Sequence, residues 1–266
     1  MAEALLGHAG PLYVAALIGG FTAMALWETA APFRISSVPL GARWISNFGL
    51  LFINQLFVRV ALPLAGLAAA ALAASHGWGL FALIELPAWI EVPLLVVVLD
   101  LVRWATHRAM HWPGLWRLHR VHHSDLDYDC TIALRFHPLE ALLTQSALAA
   151  AIVSLGAPPL AVLLSDLLTL LSGYFTHGNV RLPAALERVL RPVLVTPDLH
   201  RVHHSVRVDE SMSNFGVLLS VWDRWFGSWR AAPADGQAAM QFGLAEWREP
   251  RQLSLPRLLV SLPLQR

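Results

Sequence analysis

The 266-residue chain contains no lysine, and its 19 basic residues are all arginine. That bias reads as the mark of a GC-rich, bacterial genome. Charge of either sign is scarce: 14% of residues are charged against 56% hydrophobic, and mean hydropathy is +0.53. A soluble domain carries roughly a quarter charged residues. This chain therefore lacks the polar surface to cover itself in water, and part of it is expected to lie in lipid. The formal net charge of +1 is not the basic balance of a nucleic-acid binder, and no such partner is expected. A single cysteine, Cys130, excludes an intramolecular disulfide and a thiolate metal cluster. The N-terminus has no basic n-region and no obvious cleavage site, so a cleaved signal peptide is not expected. No G-x-G-x-x-G follows a strand pattern, and no four-cysteine set, H-E-x-x-H or paired E-x-x-H is present. These absences exclude fused flavin, nicotinamide and iron–sulfur domains.

What the sequence has is long apolar runs. Three spans are expected, at about Pro11–Ala31, Leu50–Ala74 and Leu80–Ala105. A fourth run, Ala141–Phe175, is too long for one span and is broken by Gly156-Ala157-Pro158-Pro159. Its halves are each a little short of the ~20 residues that cross a bilayer, which suggests a tight helical hairpin, with a buried core helix pair as the alternative. Arginine placement sets the expected orientation. With the N-terminus outside, the outer segments (1–10, 75–79 and the hairpin tip 157–159) hold no arginine, while Arg34, Arg43, Arg103 to Arg135 and Arg181 to Arg266 lie inside. Arg59 is expected a third of the way into the second span, within snorkelling reach of the inner side. A multi-pass protein of a bacterial inner membrane follows, N-terminus outside and C-terminus cytoplasmic.

Ten of the twelve histidines fall between His107 and His204. His107 and His111 stand four apart in HRAMH; His119, His122 and His123 form HRVHH; His200, His203 and His204 repeat HRVHH. Offsets of three and four place each set on one helix face. Neutral imidazole suits iron, zinc, copper or nickel. One tetrahedral zinc takes four ligands, so eight to ten nitrogens fit two metals. His8 and His76 are isolated on the expected outer side and receive no role.

These boxes resemble those of the fatty acid hydroxylase superfamily, also called the sterol desaturase family. Further segments share the resemblance: Asp100 ahead of the first box, RFHPLE from Arg135 to Glu140, HGNVRLP from His177, NFG at Asn214–Gly216, and WDRWFGSW at Trp222–Trp229. Arg43 and Asn47 match an upstream pattern. The resemblance spans about residues 40–230. It implies an all-α integral-membrane bundle of about three spans plus a hairpin, capped by a cytoplasmic histidine-rich di-metal domain. The implied division is a transmembrane region 1–99, a catalytic region 100–230 including the hairpin 141–175, and a cytoplasmic tail 231–266.

The resemblance also implies a site. The eight box histidines map onto its ligand pattern, with His137 and His177 as further ligands or as hydrogen-bonding supports of one. Asp100 either orients a ligating imidazole or pairs with Arg103 or Arg108, and Asn214 supports the site from behind. Asp166, inside the apolar hairpin, implies a function, a hidden partner or a wet cavity. Arg135 and Glu140 tie the site loop to a helix end. The implied cofactors are two iron ions, replaceable by zinc in overexpressed protein, with O2 and an external electron donor of ferredoxin, rubredoxin or cytochrome type. The implied reaction is hydroxylation of a lipid C–H bond. Desaturation at the same centre is the first alternative. A non-catalytic membrane metal- or haem-binding protein is the second, although membrane haem sites use facing single histidines within spans.

Overall fold

A computed structural model describes residues 2–84 and 86–264. The protein is helical, and among the described residues its only β-structure is three isolated bridges. In chain order the helices are α1 (Ala2–Gly7), α2 (Ala9–Ala30), α3 (Leu40–Ala61), α4 (Leu67–His76), α5 (Ala88–Met110), α6 (Pro113–His123), α7 (Pro138–Leu155), α8 (Pro159–Thr176), α9 (Ala184–Leu190) and α10 (Pro197–His203). Short turns follow to the C-terminus. Four helices, α2, α3, α7 and α8, are long and apolar enough to cross a membrane. Their outward faces carry exposed Ile18, Leu26, Phe52, Leu56 and Val60, a surface matched to lipid and not to water. The chain is a multi-pass membrane protein.

The break expected at Gly156–Pro159 forms, but the two helices it joins are splayed and not a tight pair: α7 and α8 each pack on α4 and α5. Gly156 adopts a left-handed conformation (φ 69°) that caps α7, and Pro158 and Pro159 open α8. A Cβ on Gly156 would meet the Trp78 carbonyl at 2.5 Å, and one on Gly79 would meet the Gly156 backbone at 2.0 Å. Two glycines in contact thus seat the turn after α4 on the hairpin tip. Behind them Leu95, Leu99, Leu148, Ile152, Ala161 and Val162 make the main apolar core, joined by Ala69 and Ala70 of α4.

Two expected spans differ in outline. The run expected as Leu50–Ala74 is two helices, because Pro63 cannot continue α3 and Gly66 turns back at positive φ (54°). The upstream helix begins at Leu40, ten residues early, because Arg43, Asn47 and Asn54 are buried against the rest of the protein. Arg59 consequently falls in the last turn of α3, not near the start of a span. The run expected as Leu80–Ala105 divides into a 3₁₀ turn (Leu80–Leu83) and α5. The helix restarts after Pro87 and continues to Met110, carrying His107 in its last turn.

Asp166 has partners. The Tyr13 hydroxyl donates to it at 2.7 Å and Arg103 pairs with it at 2.5 Å, joining α2, α5 and α8.

Candidate metal centre

Four helices end at one place. His107 lies in the last turn of α5 and His111 caps it; His119, His122 and His123 lie in the second half of α6; His177 caps α8; His200 and His203 lie on α10, which His204 caps. Helix C-termini carry partial negative charge and favour a cation. The boxes work because offsets of three and four stack imidazoles on one face, while helix packing turns the faces toward each other.

The nine rings sort into two groups. His107, His111, His119, His123 and His203 offer nitrogens within 4.8 Å of one another, and His122, His177, His200 and His204 form a second such group. Neither group copies a sequence box. The α6 box gives His119 and His123 to one group and His122 to the other; the α10 box is divided in the same way.

Five rings are fixed from behind. His107 Nδ1 donates to the Phe215 carbonyl at 2.8 Å and His203 Nδ1 to the Ser213 carbonyl at 2.7 Å. His122 donates to the Arg135 carbonyl at 3.2 Å and His177 to the Gly173 carbonyl at 2.8 Å. His119 Nδ1 meets the Glu140 carboxylate at 2.5 Å. A carbonyl can only accept, so in the four carbonyl-bound rings the proton sits on Nδ1 and the Nε2 lone pair faces inward. Nε2 of His107, His111, His119, His123, His203 and His204 is buried with no hydrogen-bond partner. Six buried ring nitrogens without a partner in one place would be costly.

These observations test whether the residues fit a metal. His122 and His177 face each other Nε2 to Nε2 at 3.2 Å. Both hold their proton on the opposite nitrogen, so this contact is not a hydrogen bond between neutral rings. Nor is a shared proton available near neutrality. Burial, then the surrounding imidazoles, holds His122, His123, His200, His203 and His204 well below the ordinary histidine range. Burial foremost pushes His177 down to about 4. A metal cation satisfies both lone pairs: nitrogens bound 2.0–2.1 Å from one ion lie about 3.0–3.4 Å apart. The residues present fit two metals with nitrogen ligands.

Aromatic side chains close the space. Phe215 contacts His107, His111 and His203; Trp116 lies against His111, His119 and His123; Phe136 stacks on His122 at 4.6 Å; Tyr128 covers His177 and His204. Beneath them a charged knot joins α3 to the end of α6. Arg43 binds Asp125 at 2.7 Å and Asp129 at 2.5 Å, and Arg135 donates to Val121, Ser124 and Asn47. Burial alone would raise the Asp125 carboxyl, but the Arg43 and Arg135 guanidiniums outweigh it and hold it below its ordinary value.

His137 stands apart from both groups. Its Nδ1 accepts from the Leu139 N–H at 3.2 Å, capping α7, and its Nε2 meets the Leu259 carbonyl at 3.1 Å. Both nitrogens are committed to backbone. The signal was present, since the following Pro138 marks a helix start. Asp100 takes neither role expected of it. It accepts from the Leu218 and Leu219 N–H groups and from Trp222 Nε1, while Arg103 turns to Asp166 and Arg108 lies over Trp104. The partners of His107 and His203 are backbone carbonyls, which no residue type announces. Glu140, read as a loop tie, directly supports His119.

The fatty acid hydroxylase family model matches residues 92–228, from within α5 to the end of the WDRWFGS segment, taking in all nine rings. The chain belongs to the fatty acid hydroxylase family. Similar members include the ornithine lipid hydroxylase OlsE of Rhizobium tropici, 31% identical over 148 residues (55% of this chain and 44% of that one). The alkylglycerol monooxygenase of Caenorhabditis elegans is 28% identical over 166 residues (59% and 31%), and that of Homo sapiens 31% over 127 (47% and 27%). The matched part is less than half the length of each of these family relatives. No solved structure gives a significant match.

Proposed function

We propose that this family member is a di-iron oxygenase that hydroxylates a C–H bond of a membrane lipid. The observation that carries the reading is the pair of nitrogen groups, five and four imidazoles whose ring nitrogens lie within 4.8 Å of one another, at helix ends. When bound, the two irons would supply a strong oxidant generated from O2 and two electrons, beyond the reach of acid–base chemistry. The overall balance is R–H + O2 + 2 electrons + 2 protons giving R–OH + H2O. The protein's part is to hold the rings oriented, and to keep water out through Phe215, Trp116, Phe136 and Tyr128. The proposed ligands are His107, His111, His119, His123 and His203 for one metal and His122, His177, His200 and His204 for the other. Zinc would occupy the same nitrogens when iron is scarce.

The substrate proposed is a polar-headed lipid, in keeping with the ornithine lipid and alkylglycerol in the relatives' names. It would reach the site from the bilayer, and its bound geometry would select the carbon attacked. Electrons would come from a small external carrier. The proposed arrangement keeps the site and the C-terminus cytoplasmic and the N-terminus outside. Arginine is concentrated on the histidine side; Arg59, at the end of α3, is the exception. Residues 1–99, 100–230 and 231–266 are proposed as membrane, catalytic and tail regions.

The test is turnover with purified protein, an electron carrier with its reductase, lipid and 18O2. Hydroxylation adds one labelled oxygen to the lipid. Loss of two hydrogens without label would make the enzyme a desaturase. Turnover without O2 would sink both readings.

A further inference from the structure

Among the described residues, Asn214 is the one non-glycine with a positive φ, 54°. Left-handed backbone is disfavoured for residues with a side chain, and Asn is among the few that tolerate it. Asn214 is fully buried, and every polar group of its side chain is used. Its amide nitrogen donates to the Leu199 carbonyl at 3.0 Å and the Arg230 carbonyl at 2.9 Å, and its amide oxygen accepts from the Arg230 N–H at 2.9 Å. Its own N–H donates to Ser228 at 2.8 Å. The turn is therefore clamped to the segment at 228–230 and to α10, one residue before His200.

The carbonyls on either side of this residue are the ones that matter. Ser213 accepts from His203 Nδ1, and Phe215 accepts from His107 Nδ1. One ligand comes from the first histidine box and the other from the last, 96 positions apart in sequence, and both belong to the five-histidine group. No ring of the four-histidine group donates to this turn: His122 and His177 lean on Arg135 and Gly173, and only the Leu199 contact reaches the helix that carries His200 and His204. Asp223 holds the far side of the turn, accepting from the Phe215 and Gly216 N–H groups.

We propose that Asn214 is a positioning residue that fixes the tautomer and ring orientation of His107 and His203 together, and so governs metal occupancy of the five-histidine group far more than that of the other group. This rests on the two-metal reading above. Alanine would lose the clamp and strain the turn. Glycine would keep the conformation but lose three hydrogen bonds. Aspartate would set a carboxylate oxygen against the Leu199 and Arg230 carbonyls.

The experiment is cobalt and zinc titration of the full chain in detergent, reading stoichiometry and the visible absorption of bound cobalt. The wild type is expected to bind two ions. In N214A one ion should bind at least about 10-fold more weakly, the range for loss of a ligand's outer partner, while the other weakens far less. H204A, in the other group, should leave one ion with a different cobalt spectrum, and N214A/H204A should bind neither tightly. N214G, free of backbone strain, carries the same test if alanine prevents folding, and should show the same one-sided loss. Two ions bound with wild-type affinity in N214A or N214G, or equal weakening of both ions, would overturn the proposal. A wild type that binds fewer than two ions would instead overturn the two-metal reading.

Discussion

His122 and His177, 55 residues apart in sequence, meet Nε2 to Nε2 at 3.2 Å with both Nδ1 protons already donated to backbone carbonyls. Two lone pairs held this close repel unless a cation lies between them. Burial works against protonation of both rings, and a metal bound between them would relieve the repulsion. The contact places His177, outside every HxxHH box, beside the box histidines of the four-membered group.

His177→Ala or His122→Ala is expected to lower metal content from about two ions per chain to about one. Activity should fall by more than the ~10–100-fold that follows loss of a ligand's outer partner. Elemental analysis beside a helicity measurement checks this. Unchanged metal in both variants would remove the pair from the ligand set.

Glu140→Gln keeps the shape of the side chain but removes the negative charge facing His119. Metal affinity in the five-histidine group should weaken by about 10–100-fold, with the four-histidine group unaffected. Competition with a chelator measures both affinities; equal binding by variant and wild type would make the contact incidental.

His137→Ala is expected to leave both metals in place. The variant loses the cap on α7 and the tie to Leu259, which should destabilise the fold by about 1 kcal/mol. A lowered melting temperature with full metal content is the predicted pair of results. Loss of an ion would restore His137 as a ligand.

Arg43→Ala removes the cation between Asp125 and Asp129 and leaves two buried carboxylates facing each other. Breaking a buried pair in this way costs about 3–5 kcal/mol. Arg43→Lys should recover only part of it, because an ammonium cannot reproduce the fork that binds both carboxylates. Denaturation of the solubilised chain, followed by Trp fluorescence, gives the order wild type, lysine, alanine. Alanine as stable as wild type would show that the knot does not hold α3.

Orientation is tested by introduced cysteines. Cys130 is buried and should stay silent. An impermeant thiol reagent applied to intact cells should label cysteine placed at exposed His76 and miss one placed at exposed Ala238. Labelling at Ala238 would reverse the proposed topology.

The apolar runs and the clustering of the eight box histidines were legible in the sequence for one reason: each is a pattern within a single helix. Apolar runs of sufficient length and histidines at offsets of three and four need no knowledge of neighbours. The misplaced span limits have a related cause. Arg43, Asn47 and Asn54 look unfit for an apolar helix until their buried partners Asp125, Thr131 and the Phe136 carbonyl are known.

By itself the sequence determined that the chain meets lipid, that its eight box histidines lie on helix faces, and that its motifs are those of the fatty acid hydroxylases. The tertiary structure decided how those rings divide, five and four across the boxes. It also decided that His177 joins them while His137 caps a helix, and that Asp100 holds a loop and touches no imidazole. The physical reason is that local periodicity fixes only which side chains share a helix face. Which faces meet, and which carbonyl turns toward which ring, depends on how α5, α6, α8 and α10 pack and on the single left-handed turn at Asn214.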